Sequence, residues 1–202
     1  MNWLSRRTLF TVPYPAKLTP AQITHAATEI VAQHGAAHLS MRTLAERLGV
    51  RASSLYRHFD NRDTLLRTIG DQAALNLRDA LAHAARDPAP DPATALRQAA
   101  QAYLTYARTH PHLYALLLTR DSEMTPDQPQ ASAGKQLWNT LLQLVGAVSG
   151  HPDDTDHAVA LWTFLHGFAS LEATGTFGQS GPKGGLEVGL NGIIGHMEGN
   201  GG

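Results

Sequence analysis

The sequence predicts an all-α fold in two parts, a small N-terminal unit of short helices followed by a larger helical domain. Three observations carry that expectation. Apolar residues recur at three- and four-residue spacing in nearly every segment, and no two-residue alternation lasts long enough to make a strand. Helix-capping side chains stand before these segments, and Gly or Pro stands after them. The 202 residues, 43% hydrophobic and 16% charged, supply ample core for a globular protein. Cysteine is absent, which removes disulfides, thiolate metal sites and cysteine nucleophiles together. No apolar run reaches the roughly 20 residues that cross a bilayer, since His166, Gly167 and Ser170 interrupt the 161–171 stretch. Ser5-Arg6-Arg7 is followed by no apolar leader segment, so a soluble, cytoplasmic protein is expected.

Residues 1–16 read as a flexible basic arm. Thr19, Pro20 and Gln22 then set out a capping box with proline at the first helical position. The helix they start turns Ile23, Ala26, Ala27, Ile30 and Val31 inward and stops at Gly35. Ser40 caps a shorter helix with Leu44 and Leu48 on one face, closed by Gly49. A third helix, about Ala52 to His58, turns Leu55 and Phe59 inward. Asp60 and Asn61 cap a long helix through Leu65, Leu66, Ile69, Ala73, Leu77 and Leu81 to about Arg86.

The proline-dense stretch 87–92 breaks the chain, and Asp91 with Pro92 begins the next helix, through about His110. Pro111 opens another through Leu118, and 119–130 reads as a polar loop. Helices over 131–148 and 153–177 follow, separated by Gly150-His151-Pro152, and 178–185 is a flexible connector. A last, weak helix holds Leu190, Ile193, Ile194 and Met197. Its Gly189, Gly192 and Gly195 either weaken it by about 1 kcal/mol each or form a flat face for another backbone.

The net charge of −1 hides an asymmetry. Through residue 70 there are nine basic and four acidic residues, a balance of +5, and the remainder carries −6. A basic segment of that size suits a polyanion, while the acidic remainder argues against nucleic acid or membrane contacting the whole molecule.

Residues 40–59 have the arithmetic of a helix-turn-helix, with Leu44, Leu48, Leu55 and Phe59 locking two helices around Gly49-Val50. The opposite face of the second helix presents Ala52, Ser53, Tyr56 and Arg57. Small residues there admit close backbone approach to base edges, and an arginine can contact guanine with two hydrogen bonds. Arg42 lies near the same surface, and Arg62 begins the next helix, where free amides and a guanidinium suit a phosphate. The DNA-facing set is thus Arg42, Arg51, Ala52, Ser53, Ser54, Tyr56, Arg57, His58 and Arg62.

Residues 23–66, and most specifically Leu55-Tyr56-Arg57-His58-Phe59-Asp60-Asn61-Arg62, resemble the DNA-binding domain of the TetR (tetracycline repressor) family of bacterial transcription regulators. Arg62 stands where that family usually has lysine, and Ala52 and Ser53 are small where its members are often polar. Trp162, His166-Gly167 and Leu171-Glu172 are similar to the tryptophan and histidine-glycine pattern of one C-terminal subtype. The resemblance implies a three-helix helix-turn-helix DNA-binding domain over 17–66, with a connecting helix to about 86. It implies a ligand-binding and dimerisation domain over 91–202, a homodimer and a near-palindromic operator.

Other chemistries fit less well. His34 and His38 have four-residue spacing, but Gly35 intervenes and no carboxylate accompanies them, so no metal or cofactor is expected. Gly181-Pro182-Lys183-Gly184-Gly185 follows a helix and lacks the Ser or Thr of a phosphate loop, and no nucleophile elbow or catalytic carboxylate pair exists. An enzyme is therefore not expected. Tyr103, Tyr106, Trp138, Trp162 and His166 are candidates to line a ligand cavity, although their spacing equally suits ordinary core. His166 stands out because an imidazole among aromatics needs a hydrogen-bond partner, from a ligand, Thr163 or a backbone carbonyl. The expectation is a repressor released by a small, largely apolar effector. The competing class is a helical small-molecule-binding or enzymatic domain whose basic N-terminus docks on a protein.

Overall fold

The computed structural model of the chain describes residues 18–86, 91–117, 132–178 and 184–199. The arm over 1–16, the loop over 119–130, most of the 87–92 break and Gly181-Pro182-Lys183 lie outside these residues. Every regular element among the described residues is helical: α1 (Pro20–His34), α2 (Met41–Leu48), α3 (Ala52–Leu55), α4 (Arg62–Ala84), α5 (Pro92–Thr109), α6 (Pro111–Leu116), α7 (Ala133–Ser149), α8 (Thr155–Ala173) and α9 (Gly185–Gly199).

Local chemistry fixes the helix starts. The Thr19 hydroxyl accepts from the Gln22 amide while Gln22 reaches back to the Thr19 N–H, which completes the capping box. Ser40, Asn61, Asp91, Ser132 and Asp154 cap α2, α4, α5, α7 and α8 through their side chains. Gly49 takes the left-handed conformation, φ 65° and ψ 29°, that closes α2 and lets the chain turn sharply into α3. Two helices are shorter than the sequence predicts. Regular α3 ends at Leu55, and residues 56–58 continue as a turn in which the His58 and Phe59 amides both donate to the Leu55 carbonyl. α8 ends at Ala173, and Gly175 at φ 69° redirects the chain.

Two apolar clusters form. The N-terminal one gathers α1–α3 and the first half of α4, with Ile23, Leu44, Leu55, Leu65 and Ile69 at its centre. The C-terminal one gathers the second half of α4 with α5–α9, around Leu77, Leu96, Leu104, Val145, Leu161, Leu165 and Ile194. α4 runs through both: Leu65, Ile69 and Ala73 serve the first, Leu77 and Leu81 the second. α6 is divided over a single turn, since Leu113 and Leu116 enter the N-terminal cluster and Tyr114 enters the C-terminal one. In α9 the glycine spacing allows either a weakness or a flat face for a backbone. At Gly189 the neighbour is a ring: a Cβ there would lie 2.2 Å from Phe164 of α8.

Candidate functional site

The first site follows from how α2 and α3 are locked. Leu44 and Leu55 are wholly buried and Phe59 nearly so, and this fixes which side of α3 faces outward. Ser53, Tyr56 and Arg57 stand exposed on that side with Arg51 at its start, while Ala52, Ser54 and His58 are half-buried beside them. Tyr56 is 52% exposed, large for an aromatic ring. The Arg42 side chain, 88% exposed, extends from α2 and pairs with Glu46 one turn on, at 2.9 Å. A ridge with hydroxyls, a phenol and exposed guanidiniums is suited to reading base edges and phosphates.

Arg62 is placed differently from the expectation of a free phosphate clamp. Its Nε donates to the Leu39 carbonyl at 2.7 Å and its Nη2 to the Ala36 carbonyl at 2.6 Å. It therefore ties the start of α4 to the 3-10 turn Ala36–His38 that joins α1 to α2. Nη1 lies 3.4 Å from Asp63. Sequence reasoning missed these carbonyl partners because they lie 23 and 26 residues away.

The second site lies between α5, α6, α7 and α8. Tyr103 and Tyr114 join hydroxyl to hydroxyl at 2.9 Å, and the Tyr114 hydroxyl meets His166 Nδ1 at 2.6 Å. His166 Nε2 lies 3.4 Å from the Ser170 hydroxyl. Trp138 and Trp162 meet edge to face at 6.3 Å, and Trp162 is 6.4 Å from the His166 ring. Four of the five predicted cavity residues thus converge. Tyr106 does not join them: its hydroxyl donates to the Ala73 carbonyl of α4 at 3.2 Å, and its ring stacks on His110. Tyr114, which sequence reasoning did not single out, is the central member. Flanked by Leu113, Leu116 and Leu117, it reads as plain core, and only the unpaired need of His166 pointed to it.

Burial controls the protonation of this cluster. It pushes the Tyr103 and Tyr114 hydroxyls well above the ordinary phenol value and Tyr106 up to about 12. It pushes His166 below its ordinary 6.5, so the imidazole is neutral at pH 7. A separate shallow concavity of about 540 Å³ lies at the α7–α8 turn, lined by His151, Pro152, Asp153, Asp154, Asp156 and His157. There burial opposes ionisation of Asp154, but hydrogen bonds from Ser149 and His157 outweigh it and hold the carboxyl below its ordinary value. His34 and His38 lie 6.0 Å apart, and among the described residues no group of three or more metal-ligating side chains gathers. No helix among the described residues is long and apolar enough to cross a membrane.

Two family models match the chain in sequence order. The model of bacterial regulatory proteins of the tetR family covers residues 23–69, and the tetracyclin repressor-like C-terminal domain covers 96–184. The HTH-type transcriptional regulator Rv0681 of Mycobacterium tuberculosis is 29% identical over 168 residues, spanning 81% of this chain and 74% of its own. Among solved structures, the putative regulatory protein SCO4313 is 27% identical with a TM-score of 0.67, covering 87% of this chain and 94% of that one. ActR from Streptomyces coelicolor, solved in complex with (S)-DNPA, has a TM-score of 0.65 at 22% identity, covering 90% and 98%. Matched in both halves, with the helix-turn-helix built and its outer face exposed, the chain belongs to the tetR family of DNA-binding transcription regulators.

Proposed function

We propose that the protein is a cytoplasmic repressor that binds a near-palindromic operator as a homodimer and leaves it when a small, largely apolar effector enters the Tyr103–Trp138–Trp162–His166 cluster. The DNA-binding unit is 17–66 with α4 as its connection, and 91–202 serves effector binding and dimerisation. The observation that carries this reading is the outward face of α3, where Ser53, Tyr56 and Arg57 stand exposed, with the exposed Arg42 side chain on the adjoining α2. One short helix reads too few bases alone, so two copies with half-sites about one helical turn apart are required.

The surface for the second copy is on α8 and α9. α8 carries no Asp, Glu, Lys or Arg from 157 through 171, and it exposes Val159 and Leu171. α9 adds Val188, 73% exposed, beside Gly192 and Gly195. The helix over 131–148, α7, packs within its own chain against α4, α5, α8 and α9. Two helices from each copy make a four-helix interface.

That ActR was solved in complex with (S)-DNPA supports a small-molecule effector for this chain as well. An occupied cluster acts on DNA through α4, because Tyr106 ties α5 to the Ala73 carbonyl and Leu77 and Leu81 pack in the C-terminal core. A small tilt of α4 changes the separation of the two reading heads, and coupling of about 1 to 3 kcal/mol shifts occupancy roughly 5- to 150-fold. The test is selection of a bound duplex from a random pool, followed by its salt dependence and the solution mass. A strictly monomeric protein, or one with no preferred duplex, overturns the reading.

A further inference from the structure

Arg42 and Glu46 form an ion pair within α2 from which the helix itself gains little. Arg42 stands in the first turn of α2 and Glu46 in the last, so each charge opposes the helix dipole. Arg before Glu at four-residue spacing also supports a helix less well than the reverse order. Both side chains are exposed, 88% and 64%, and the pair is made at one nitrogen: Arg42 Nε donates to Glu46 Oε1 at 2.9 Å. Arg42 Nη1 and Nη2 make no hydrogen bond among the described residues. The other guanidiniums of the DNA-facing set are placed differently. Arg51 and Arg57 are exposed and make no ion pair among the described residues, and Arg62 is bound to the Ala36 and Leu39 carbonyls. Of the three exposed ones, only Arg42 is met by a carboxylate.

An unpaired arginine beside a duplex takes phosphate oxygens, which gives affinity without sequence. A carboxylate on Nε changes that in two ways: it fixes the plane of the guanidinium, and it sets a negative charge against the phosphates. What remains is the terminal fork, whose two N–H groups match guanine O6 and N7. We propose that Glu46 is a positioning residue for DNA recognition, holding Arg42 by Nε so that its Nη1 and Nη2 read one guanine instead of clamping the backbone. The proposal rests on reading Arg42 as a base contact.

The test takes the duplex selected from the random pool and its single-base-pair variants, and compares the wild type, Arg42→Ala, Glu46→Ala and the double variant in competition binding. Arg42→Ala is expected to flatten the preference at one G·C pair of each half-site. Glu46→Ala is expected to lower the preference at that same pair about two- to tenfold, the worth of holding one long side chain still. On unrelated duplexes it should steepen the salt dependence by about one per protomer, as the released arginine turns to a phosphate. In the Arg42→Ala background, removing Glu46 should change no base preference. Full preference in Glu46→Ala overturns the proposal and leaves the reading of Arg42 standing. A glutamate can itself accept from a cytosine amine; a preference lost with Glu46 in the Arg42→Ala background shows that and overturns the proposal as well. If Arg42→Ala flattens no position, the reading of Arg42 falls and the proposal falls with it.

Discussion

The N-terminal core buries one aromatic ring, Phe59, and no hydroxyl group, whereas the C-terminal core buries Tyr103, Tyr106 and Tyr114, each with its hydroxyl bonded. The first arrangement is tolerant of what happens outside it: an apolar interior holds α3 at a fixed angle, and the groups that meet DNA stand on the surface. The second places polar chemistry inside, where each of the three tyrosine hydroxyls depends on a named partner. A reading head thereby gains rigidity from packing alone, while the domain that must respond keeps a network that a visitor can rearrange.

The contrast can be broken by mutation. The largest loss is expected from Leu44→Ala, which leaves a cavity in the apolar core and should cost about 2 to 5 kcal/mol by urea unfolding. Arg62→Ala should follow, at about 1.5 to 3 kcal/mol, because it releases two backbone carbonyls from a charged donor. Any effect on DNA should be uniform across sequences and leave the salt slope unchanged; unchanged stability together with a salt slope lower by about one per site would return Arg62 to a phosphate-binding role.

Tyr114→Phe removes one oxygen and no volume. It should nonetheless cost about 1 to 3 kcal/mol, because it strands both Tyr103 and His166, whereas no such deletion is possible in the N-terminal core. A neutral result would mean the network carries no stability and the comparison fails. Acidification sharpens it further. His166 is held below 6.5, so the unfolded chain takes up a proton first; stability is full above pH 6.5, falls as the pH drops toward the folded value, and then levels. Asp154, also held low, adds a separate loss only as the pH falls through the acid range below 3.8. Loss of the upper window in His166→Phe, with the lower one intact, is the expected unfolding result. The smallest stability change, about 0.3 to 0.5 kcal/mol, is expected from Arg42→Ala, which breaks one exposed pair. Its cost should appear instead as about 1 to 3 kcal/mol of discrimination at one base position in competition binding.

What the sequence made legible was local. Thr19, Ser40, Asn61 and Asp91 announce helix starts because a cap acts over three residues, and the inward faces of α1 and α4 follow from period alone. The outward face of α3 followed in the same way from Leu55 and Phe59. What stayed hidden depends on partners far along the chain: Arg62 with Ala36 and Leu39, Tyr114 with His166 52 residues on, and Gly189 with Phe164. Periodicity says that a residue is inside and does not say whom it meets. Tyr106 shows the cost, since it reads as one more candidate cavity residue while its hydroxyl turns to α4 instead.

The division of α6 bears on where this protein can be cut. The sequence is most easily parted after residue 86, yet the N-terminal core is completed by Leu113 and Leu116, which arrive from beyond that point. A fragment ending at 86 would open an apolar socket over Ile69 and its neighbours, and would invite self-association through it. The reading head is therefore not a module that can be lifted out and fused elsewhere; its excision boundary must carry α5 and α6 along, or fill the socket with residues of its own.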